Sequence, residues 1–350
     1  MDEHIRSAVG TEPAWIVGGA LRDELLGRDV VDVDVACGNP ELAARLYSRL
    51  AGGAVFTLSE RHGAWRVARR DGRTVDFTPL RGDTVEEDLG TRDFTINALA
   101  RSVQAGDLVD PFGGRPDLEA GRLRAVSETI FTDDPLRLLR AVRLEDELGF
   151  RMDAETERLA LAAVEHVARP AGERLLGELE RLSPDGFRRA DELGLLEPLS
   201  GSLERFDRVD LVDSPGFLLV VVFGENLERY PISKDLKRFA RTLLSAERPQ
   251  DATPREIHRF RRKTEPWALS ALAFLGAADF YDTVREAREQ EPKEPLLRGD
   301  DILALGLPPG PEVGRLLELV EEERAAGAIS TREEALALVE RERGAATDAT

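Results

Sequence analysis

The sequence has one cysteine and no long apolar run, and these absences exclude several classes of protein. Cys37 cannot form an intramolecular disulfide, and a single cysteine excludes a cysteine-rich metal site. No apolar stretch approaches the roughly 20 residues that span a bilayer. The N-terminus also lacks a basic segment followed by an apolar one. The sequence therefore predicts a cytoplasmic protein without a membrane partner.

Histidine is scarce, and its distribution excludes one further kind of domain. The four histidines include no His-Asp dipeptide and no metal-ligand spacing. No appended phosphohydrolase domain is therefore expected.

Acidic residues outnumber basic ones, since 67 acidic and 48 basic residues give a net charge of −19. This balance argues against a simple nucleic-acid coat protein, although net charge hides local patches. Two stretches are locally basic, Arg61 to Arg73 and Lys234 to Lys263. The second is either a surface for an RNA backbone or a solvated helix face. The surplus acid, for example in Glu318 to Arg324, is predicted to lie on exposed helix faces.

Two carboxylates stand one residue apart in Val-Val-Asp-Val-Asp-Val-Ala, at Asp32 and Asp34. Residues i and i+2 of a strand point to the same face, so both carboxylates project together while the valines face a core. Hard oxygen ligands on a strand suit Mg²⁺, which binds one or two carboxylates together with substrate phosphates. The alternative is a pair of solvent-facing residues on an edge strand.

A Gly18-Gly19 turn precedes these carboxylates, between an apolar run and a helical pattern. Glycines allow close approach of the backbone to a ligand, and Arg22 is placed to form a fork on phosphate oxygens. The turn lacks the Gly-x-Gly-x-x-Gly and Gly-Lys-Ser/Thr patterns, so neither a Rossmann nor a P-loop site is indicated. The alternative is a plain strand-to-helix turn with a solvated arginine.

The order of secondary structure predicts an α+β fold. Residues 14 to about 126 alternate short strands and helices, including a strand at 31–37 and another at 96–103. From Asp133 onward the pattern is almost entirely helical, with breaks at proline and glycine. Strands first and helices afterwards indicate a mixed-sheet head followed by all-α domains.

A helix that starts near Asp134 and Pro135 carries arginines at three-residue steps, at 137, 140 and 143. Together with the preceding motifs it resembles the class II tRNA nucleotidyltransferase and bacterial poly(A) polymerase family. The residues that carry the resemblance are Gly18-Gly19-Ala-Leu-Arg22-Asp23, Asp32-x-Asp34, Arg92-Asp93-Phe-Thr-Ile-Asn97-Ala, Asp110-Pro-Phe-Gly-Gly and Asp134-Pro-Leu-Arg137-Leu-Leu-Arg140-Ala-Val-Arg143. Weaker similarity extends through Glu173-Arg174 to the C-terminal helices.

The resemblance implies a domain order of head, neck, body and tail, with a head related to DNA polymerase beta. On this sequence we expect a nucleotidyltransferase head at 1–126 and a helical neck with the base-recognition helix at 127–182. A helical body at 183–295 and a helical tail at 296–350 would follow.

The resemblance also implies the roles of the metal and triphosphate residues. Asp32 and Asp34 would be the catalytic carboxylates that hold Mg²⁺. Gly18, Gly19 and Arg22 would bind the triphosphate of the nucleotide.

The remaining nucleotide-binding residues are implied in the same way. Arg92 would contact the nucleotide, and Asp134 with Arg137 would read the incoming base. Arg140 and Arg143 would support the nucleotide pocket.

Hydrogen-bond chemistry agrees with a base-reading role for Asp134 and Arg137. Cytosine and adenine each present an amine donor beside a ring-nitrogen acceptor, whereas guanine and uracil present the opposite order. A carboxylate only accepts and a guanidinium only donates. A mismatched group in a buried site costs about 1–3 kcal/mol, so the pair favours CTP and ATP.

Three departures from the family pattern stand out. Asp133 replaces the usual Glu, and Thr91 replaces an arginine that normally precedes Arg92. Only about ten residues separate the strand around Asp76, a possible third carboxylate, from the acidic helix that follows. Many members that add the full CCA end have a longer loop there, and members that stop after CC characteristically lack it.

The predicted function is a tRNA nucleotidyltransferase that adds CMP and AMP from CTP and ATP to the 3′ end of tRNA without a nucleic-acid template. CC-only addition, A-only addition and poly(A) synthesis stay open within the family. A non-catalytic RNA-binding or nucleotide-sensing descendant is the alternative from another class. The sequence does not indicate the oligomeric state.

Overall fold

The computed structural model of the chain describes residues 3–60, 62–212, 214–292 and 294–348. The chain divides after residue 200 into two compact units. The four predicted domains, with boundaries after residues 126, 182 and 295, stay a prediction. Arg61, which opens the first basic stretch, lies outside the described residues.

The described strands lie in the first unit. They are β1 Ala14–Val17, β2 Asp32–Cys37, β3 Ala54–Ser59, β4 Ala64–Ala68, β5 Thr74–Thr78, β6 Ala100–Ser102, β7 Leu108–Val109, β8 Arg122–Leu123 and β9 Arg151–Met152. Seven of them form one sheet in the order β3-β4-β5-β2-β1-β6-β7, and β8 pairs with β9. Within the large sheet β2 and β5 are parallel and the other pairs are antiparallel.

Helices surround and follow this sheet. Those of the first unit are α1 Glu3–Val9, α2 Gly19–Leu25, α3 Pro40–Ala51, α4 Val85–Gly90, α5 Gly114–Glu119, α6 Ile130–Asp133, α7 Leu136–Leu148, α8 Ala154–Ala162, α9 Gly172–Leu179 and α10 Pro184–Glu192. Those of the second unit are α11 Pro215–Phe223, α12 Lys234–Ser245, α13 Pro254–Thr264, α14 Ala268–Leu275, α15 Tyr281–Glu289, α16 Gly299–Ala304, α17 Pro311–Ala325 and α18 Arg332–Asp348. The mixed sheet followed by helices confirms the predicted α+β class.

The alternation of β2 separates an apolar face of the sheet from a polar one. Val35 is fully buried and stands in register with Phe77 of β5, which contacts Tyr47 of α3 at a ring-centroid distance of 5.8 Å. Asp34 stands in register with Asp76, so these two side chains share the opposite face. Since β2 is the fourth of seven strands, the alternative of an edge strand is wrong.

The predicted strand at 96–103 is wrong in its first part. Thr95–Asn97 forms a 3₁₀ turn, and β6 begins only at Ala100. The Asp93 carboxylate accepts hydrogen bonds from the Phe94 N–H and the Asn97 side-chain amide. These local bonds offer the backbone an alternative to the sheet, which explains the turn.

The second unit has its own apolar core. In α11 the residues from Phe217 to Phe223 are all buried. A further cluster joins α16, α17 and α18 through Ile302, Leu316, Val320 and Val339, each at most 1% exposed. Among the described residues, no helix combines the length and apolar composition that a membrane crossing requires.

The basic stretch at 234–263 is largely neutralised inside the second unit. Arg255 of α13 pairs with Glu323 of α17 at 2.7 Å, and Arg262 pairs with Glu318 at 3.5 Å. Between them Arg259 pairs with Glu322, which is buried. The sequence predicted that the acidic residues from Glu318 to Arg324 lie on an exposed helix face. This prediction is wrong for Glu322, because α13 covers it.

Candidate active site

A cleft of about 860 Å³ opens in the first unit on the polar face of β2. It brings together nine of the ten predicted site residues, which come from separate elements: Gly18, Gly19, Arg22, Asp32, Asp34, Arg92, Arg137, Arg140 and Arg143. Asp134 is the exception, since its side chain does not line this cleft.

The two carboxylates of β2 form the acidic wall of the cleft. The Thr74 hydroxyl donates a hydrogen bond of 2.6 Å to Asp32 and fixes that side chain. Burial raises the pKa of Asp34 to about 6; the Arg92 charge opposes this shift, and the negative charges of Asp76 and Asp32 add to it. Because burial is the largest cause, the shift reflects a carboxylate held away from water beside other carboxylates.

This set of donors fits a hard divalent cation. Carboxylate oxygens are its preferred ligands, and a cation between like charges removes their repulsion. Within the described ranges, no group of three or more His, Cys, Asp and Glu side chains is arranged to hold a metal ion. Two carboxylates together with substrate phosphates are the usual ligands of Mg²⁺, so the residues present suit a metal that two carboxylates would hold and whose remaining positions a nucleotide would fill.

The Gly18-Gly19 turn allows three groups to approach one another. Gly18 has a φ of 74° and a ψ of −140°, a conformation that L side chains rarely adopt. A Cβ at Gly18 would lie 2.8 Å from Nη1 of Arg92 and 3.5 Å from Oδ2 of Asp34. Glycine at this position is therefore required both by the backbone and by the closeness of these side chains.

Arg22 is held in place by two neighbours. Its Nε and Nη2 donate to the two carboxylate oxygens of Asp23 at 2.9 and 3.0 Å. Its Nη1 donates to Oδ1 of Asn97 at 2.8 Å. These bonds hold the guanidinium in the cleft wall beside Gly19.

Arg92 is held from the other side of the cleft. Its Nε and Nη2 both donate to Oδ2 of Asp88, at 3.2 and 3.0 Å. Asp88 is almost fully buried and also accepts a bond from the Arg81 N–H. The remaining guanidinium nitrogen, Nη1, points toward Gly18, where a phosphate bound at the glycine turn would be reached.

A buried network fixes Arg140 and Arg143. Arg140 donates to Asp93 and to Glu178, both at 3.2 Å. Arg143 donates to the other oxygen of Glu178 at 2.6 Å and to Glu147 at 2.7 Å. Although burial raises the pKa of Asp93, the Arg140 charge and nearby hydrogen bonds hold it below its usual range. Both arginines are thereby positioned at the cleft by buried carboxylates.

Asp134 and Arg137 are each engaged elsewhere. Asp134 accepts from Nη2 of Arg174 at 2.7 Å and from the Leu136 N–H at 3.2 Å. Arg137 donates to the carbonyl of Thr91 at 2.8 Å. For the pair to read a base together, the Asp134 side chain has to turn into the cleft and away from Arg174.

The short segment between β5 and α4 comprises residues 79–84 and is tied to the helix that follows it. The Asp83 N–H donates to the Glu87 carboxylate at 2.6 Å, and the Arg81 N–H donates to Asp88 at 3.1 Å. Thr84 caps α4 by accepting from the Glu87 N–H. Three hydrogen bonds therefore tie the segment to Glu87 and Asp88 of α4.

Comparison with known proteins shows which family this chain resembles. The head-domain model of poly(A) polymerases matches residues 14–85 and 67–124. A CC-adding tRNA nucleotidyltransferase of Geobacter sulfurreducens is 32% identical and covers 92% of this chain and 90% of its own. An A-adding tRNA nucleotidyltransferase of Deinococcus radiodurans is also 32% identical, covering 94% of this chain and 95% of its own.

The chain belongs to the tRNA nucleotidyltransferase family. A solved structure of the Thermotoga maritima CCA-adding enzyme in complex with tRNA shares the fold, with a TM-score of 0.75 and 24% identity over 97% of this chain and 95% of that one. The predicted family and enzyme class are confirmed. The roles of the ten site residues stay predictions, although nine of them meet in one cleft.

Sequence reasoning missed several residues of this nucleotidyltransferase site. Asp23, Asn97 and Asp88 hold the phosphate-side arginines, and Arg66 binds the Asp76 carboxylate with both oxygens at 2.7 Å. The adjacency of Arg22 and Asp23 and the four-residue spacing of Asp88 and Arg92 were the local signals available. The contacts of Asn97 and Arg66 join residues distant in sequence or on separate strands.

Proposed function

We propose that the chain is a Mg²⁺-dependent tRNA nucleotidyltransferase that adds CMP and AMP from CTP and ATP to the 3′ end of tRNA without a nucleic-acid template. The observation that carries this proposal is the meeting of the β2 carboxylates, the glycine turn and the arginines in a single cleft. Two relatives that cover more than nine tenths of the chain are named a CC-adding and an A-adding tRNA nucleotidyltransferase, so each name gives one part of this activity.

Asp32 and Asp34 would hold the Mg²⁺ ions of the reaction. When bound, Mg²⁺ activates the RNA 3′-hydroxyl and neutralises the charge on the departing pyrophosphate. The attack is an in-line displacement at the α-phosphate, so the oxygen of the RNA terminus bonds to phosphorus as the bond to pyrophosphate breaks.

Arg22 and Arg92 bind and orient the triphosphate. Both guanidiniums are already fixed, by Asp23 with Asn97 and by Asp88 respectively. Because little side-chain entropy is lost on binding, fixed arginines contribute to rate through positioning. Their charge also compensates the extra negative charge that develops on the phosphate oxygens in the transition state.

Arg137 and Asp134 select the base. Arg137 lines the cleft and donates to the ring-nitrogen acceptor of cytosine or adenine. Asp134 accepts from the exocyclic amine once it leaves Arg174, which is half exposed and can turn to solvent. With guanine or uracil, the Arg137 guanidinium would face an N–H donor and the Asp134 carboxylate would face a carbonyl acceptor. These two bases are excluded for that reason.

CC addition alone is the second candidate function. The segment 79–84 is short and is bonded to α4 at Asp83 and Arg81. A pocket that changes from cytosine to adenine needs a part that rearranges, and this segment has little freedom to do so. The full-length relatives include one named CC-adding and one named A-adding.

A substrate series separates these functions. A tRNA transcript that ends at the discriminator base is incubated with CTP, with ATP and with both, and the products are resolved to one nucleotide on a denaturing gel. Addition of three nucleotides with both substrates supports CCA synthesis, whereas a stop after two cytidines supports the second candidate. Addition of AMP to a transcript that already ends in CC, without any addition of CMP to the transcript that ends at the discriminator base, indicates an A-adding enzyme.

The Asp34→Asn variant tests the catalytic class itself. It keeps the shape of the side chain and removes the charge that the metal needs. We expect nucleotide incorporation to fall to background while the thermal midpoint stays close to that of the parent. Incorporation at the parent rate would contradict the metal role of Asp34. A parent chain that binds tRNA and CTP but incorporates no nucleotide would favour a non-catalytic RNA-binding or nucleotide-sensing protein.

A further inference from the structure

A third carboxylate lies beside the proposed metal pair but is bound by an arginine. Asp76 of β5 stands in register with Asp34 of β2, and its side chain shares the polar face of the sheet. On its other side, Asp76 stands in register with Arg66 of β4. Neighbouring strands are about 4.8 Å apart, so the three residues form a row across the sheet.

The ion pair between Arg66 and Asp76 is bidentate. Nε and Nη2 of Arg66 donate to Oδ1 and Oδ2 of Asp76, both at 2.7 Å. This fork-to-fork geometry is the strong form of the arginine–carboxylate pair. It occupies both oxygens of Asp76, which is 8% exposed. Arg66 also lies within the electrostatic reach of Asp32 and Asp34.

A carboxylate in this position has two possible uses. If it were released, it would be able to join the neighbouring carboxylates as a third metal ligand. If it is held, the metal keeps more positions for oxygens of the triphosphate and the RNA terminus. The described residues contain no group of three carboxylates arranged around a common point, which agrees with the second use.

We propose that Arg66 is a positioning residue that holds the Asp76 carboxylate out of the metal's coordination shell. The cation is then held by Asp32 and Asp34 alone and keeps positions for substrate oxygens. This inference rests on the proposed function, because it requires a divalent cation at the β2 carboxylates. An ordinary cross-strand ion pair would stabilise the sheet without any effect on the metal.

Mn²⁺ binding to the full chain without nucleotide tests the proposal. Its affinity is measured by calorimetry, and its bound waters are counted by water-proton relaxation. In Arg66→Met the side-chain volume is kept and the fork is lost, so Asp76 is released. We expect Mn²⁺ to bind about tenfold more tightly, because affinity rises with the number of charged ligands, and to lose a bound water.

Two further variants complete a double-mutant cycle. Asp76→Asn frees the Arg66 guanidinium toward the β2 carboxylates, so Mn²⁺ affinity should fall below that of the parent. The double variant Arg66→Met/Asp76→Asn removes both groups and should return both the affinity and the number of waters to parent values. A new protein ligand displaces a bound water from Mn²⁺, whereas a change of charge alters the affinity alone. The number of bound waters therefore separates these two causes.

Arg69→Met is the matched control. Arg69 lies on the same β-hairpin and pairs with Asp71 at 3.0 Å, but it also contacts Tyr47 on the opposite face of the sheet. Its loss removes the same charge without releasing Asp76, so the number of waters on Mn²⁺ should not change.

The outcomes separate a failure of the positioning role from a failure of the proposed function on which it rests. If the parent binds no Mn²⁺ that depends on Asp34, the proposed metal site itself is wrong. If the parent binds Mn²⁺ and Arg66→Met binds it with the same affinity and the same number of waters, the positioning role is wrong. A gain in affinity that persists in the double variant contradicts it equally.

Discussion

Replacement of Gly18 by alanine gives the sharpest test of the cleft geometry. The backbone conformation at Gly18, with φ 74° and ψ −140°, is nearly exclusive to glycine. An alanine there carries a strain of about 1–3 kcal/mol. The new methyl group would also lie 2.8 Å from Nη1 of Arg92. Since real contacts of this kind are several tenths of an ångström longer, Arg92 or the turn has to move.

The expected loss of activity follows from that movement. A displacement of about 1 Å at a catalytic centre costs up to about a hundredfold in rate. We therefore expect Gly18→Ala to lower kcat/KM for CTP by about tenfold to a hundredfold, measured by incorporation into tRNA under initial-rate conditions. The strain alone should lower the thermal midpoint by a few degrees.

Gly27→Ala is the control, because it also places an alanine at a positive φ but without the contact. Gly27 has a φ of +68° and no atom within 4 Å of a Cβ placed there. Its replacement costs about 1–2 kcal/mol of stability and should leave kcat/KM near the parent value. If Gly18→Ala retains the kcat/KM of Gly27→Ala at matched temperature, the role of the turn in placing Arg92 is refuted.

Three further predictions concern buried ionisable groups. Burial raises the pKa of Cys37 to about 11, so at pH 8 its thiol is protonated and should react with iodoacetamide only after unfolding in urea. Glu178→Ala leaves Arg140 with Asp93 alone and Arg143 with Glu147 alone; it should cost about 1–3 kcal/mol in a urea unfolding experiment, and an unchanged midpoint would contradict the network. Asp93 has a lowered pKa, so its contribution to stability is present above the unfolded-state pKa near 4 and is lost as pH falls through the lower folded-state value. Asp93→Asn should therefore flatten the loss of stability below pH 4 measured by thermal unfolding.

Local sequence patterns predicted the parts of the site that lie within one element. The alternation of β2 was enough to place Asp32 and Asp34 on one face, and the glycine turn was recognisable beside it. The position of β2 inside the sheet was not predictable in this way, because strand order depends on contacts far along the chain. The turn at Thr95–Asn97 escaped prediction because the Asp93 side chain competes with the sheet for backbone bonds.

The sequence could not predict which residues bind the functional side chains. Asp134 and Arg174 are 40 residues apart, and Arg66 meets Asp76 only through the register of β4 and β5. Such pairs are fixed by tertiary packing, which no local pattern encodes. The order of the motifs along the chain indicated the family, and the structure then showed which bonds hold each arginine in place.

The ion pairs between α13 and α17 affect how salt titrations of this enzyme should be interpreted. Arg255, Arg259 and Arg262 already have carboxylate partners on α17. Added salt weakens these exposed pairs and also displaces RNA phosphates from other cations by counterion release. The logarithmic slope of tRNA affinity against salt concentration therefore combines both effects. A count of phosphate contacts taken from that slope therefore requires that the stability of the second unit be followed in the same buffers.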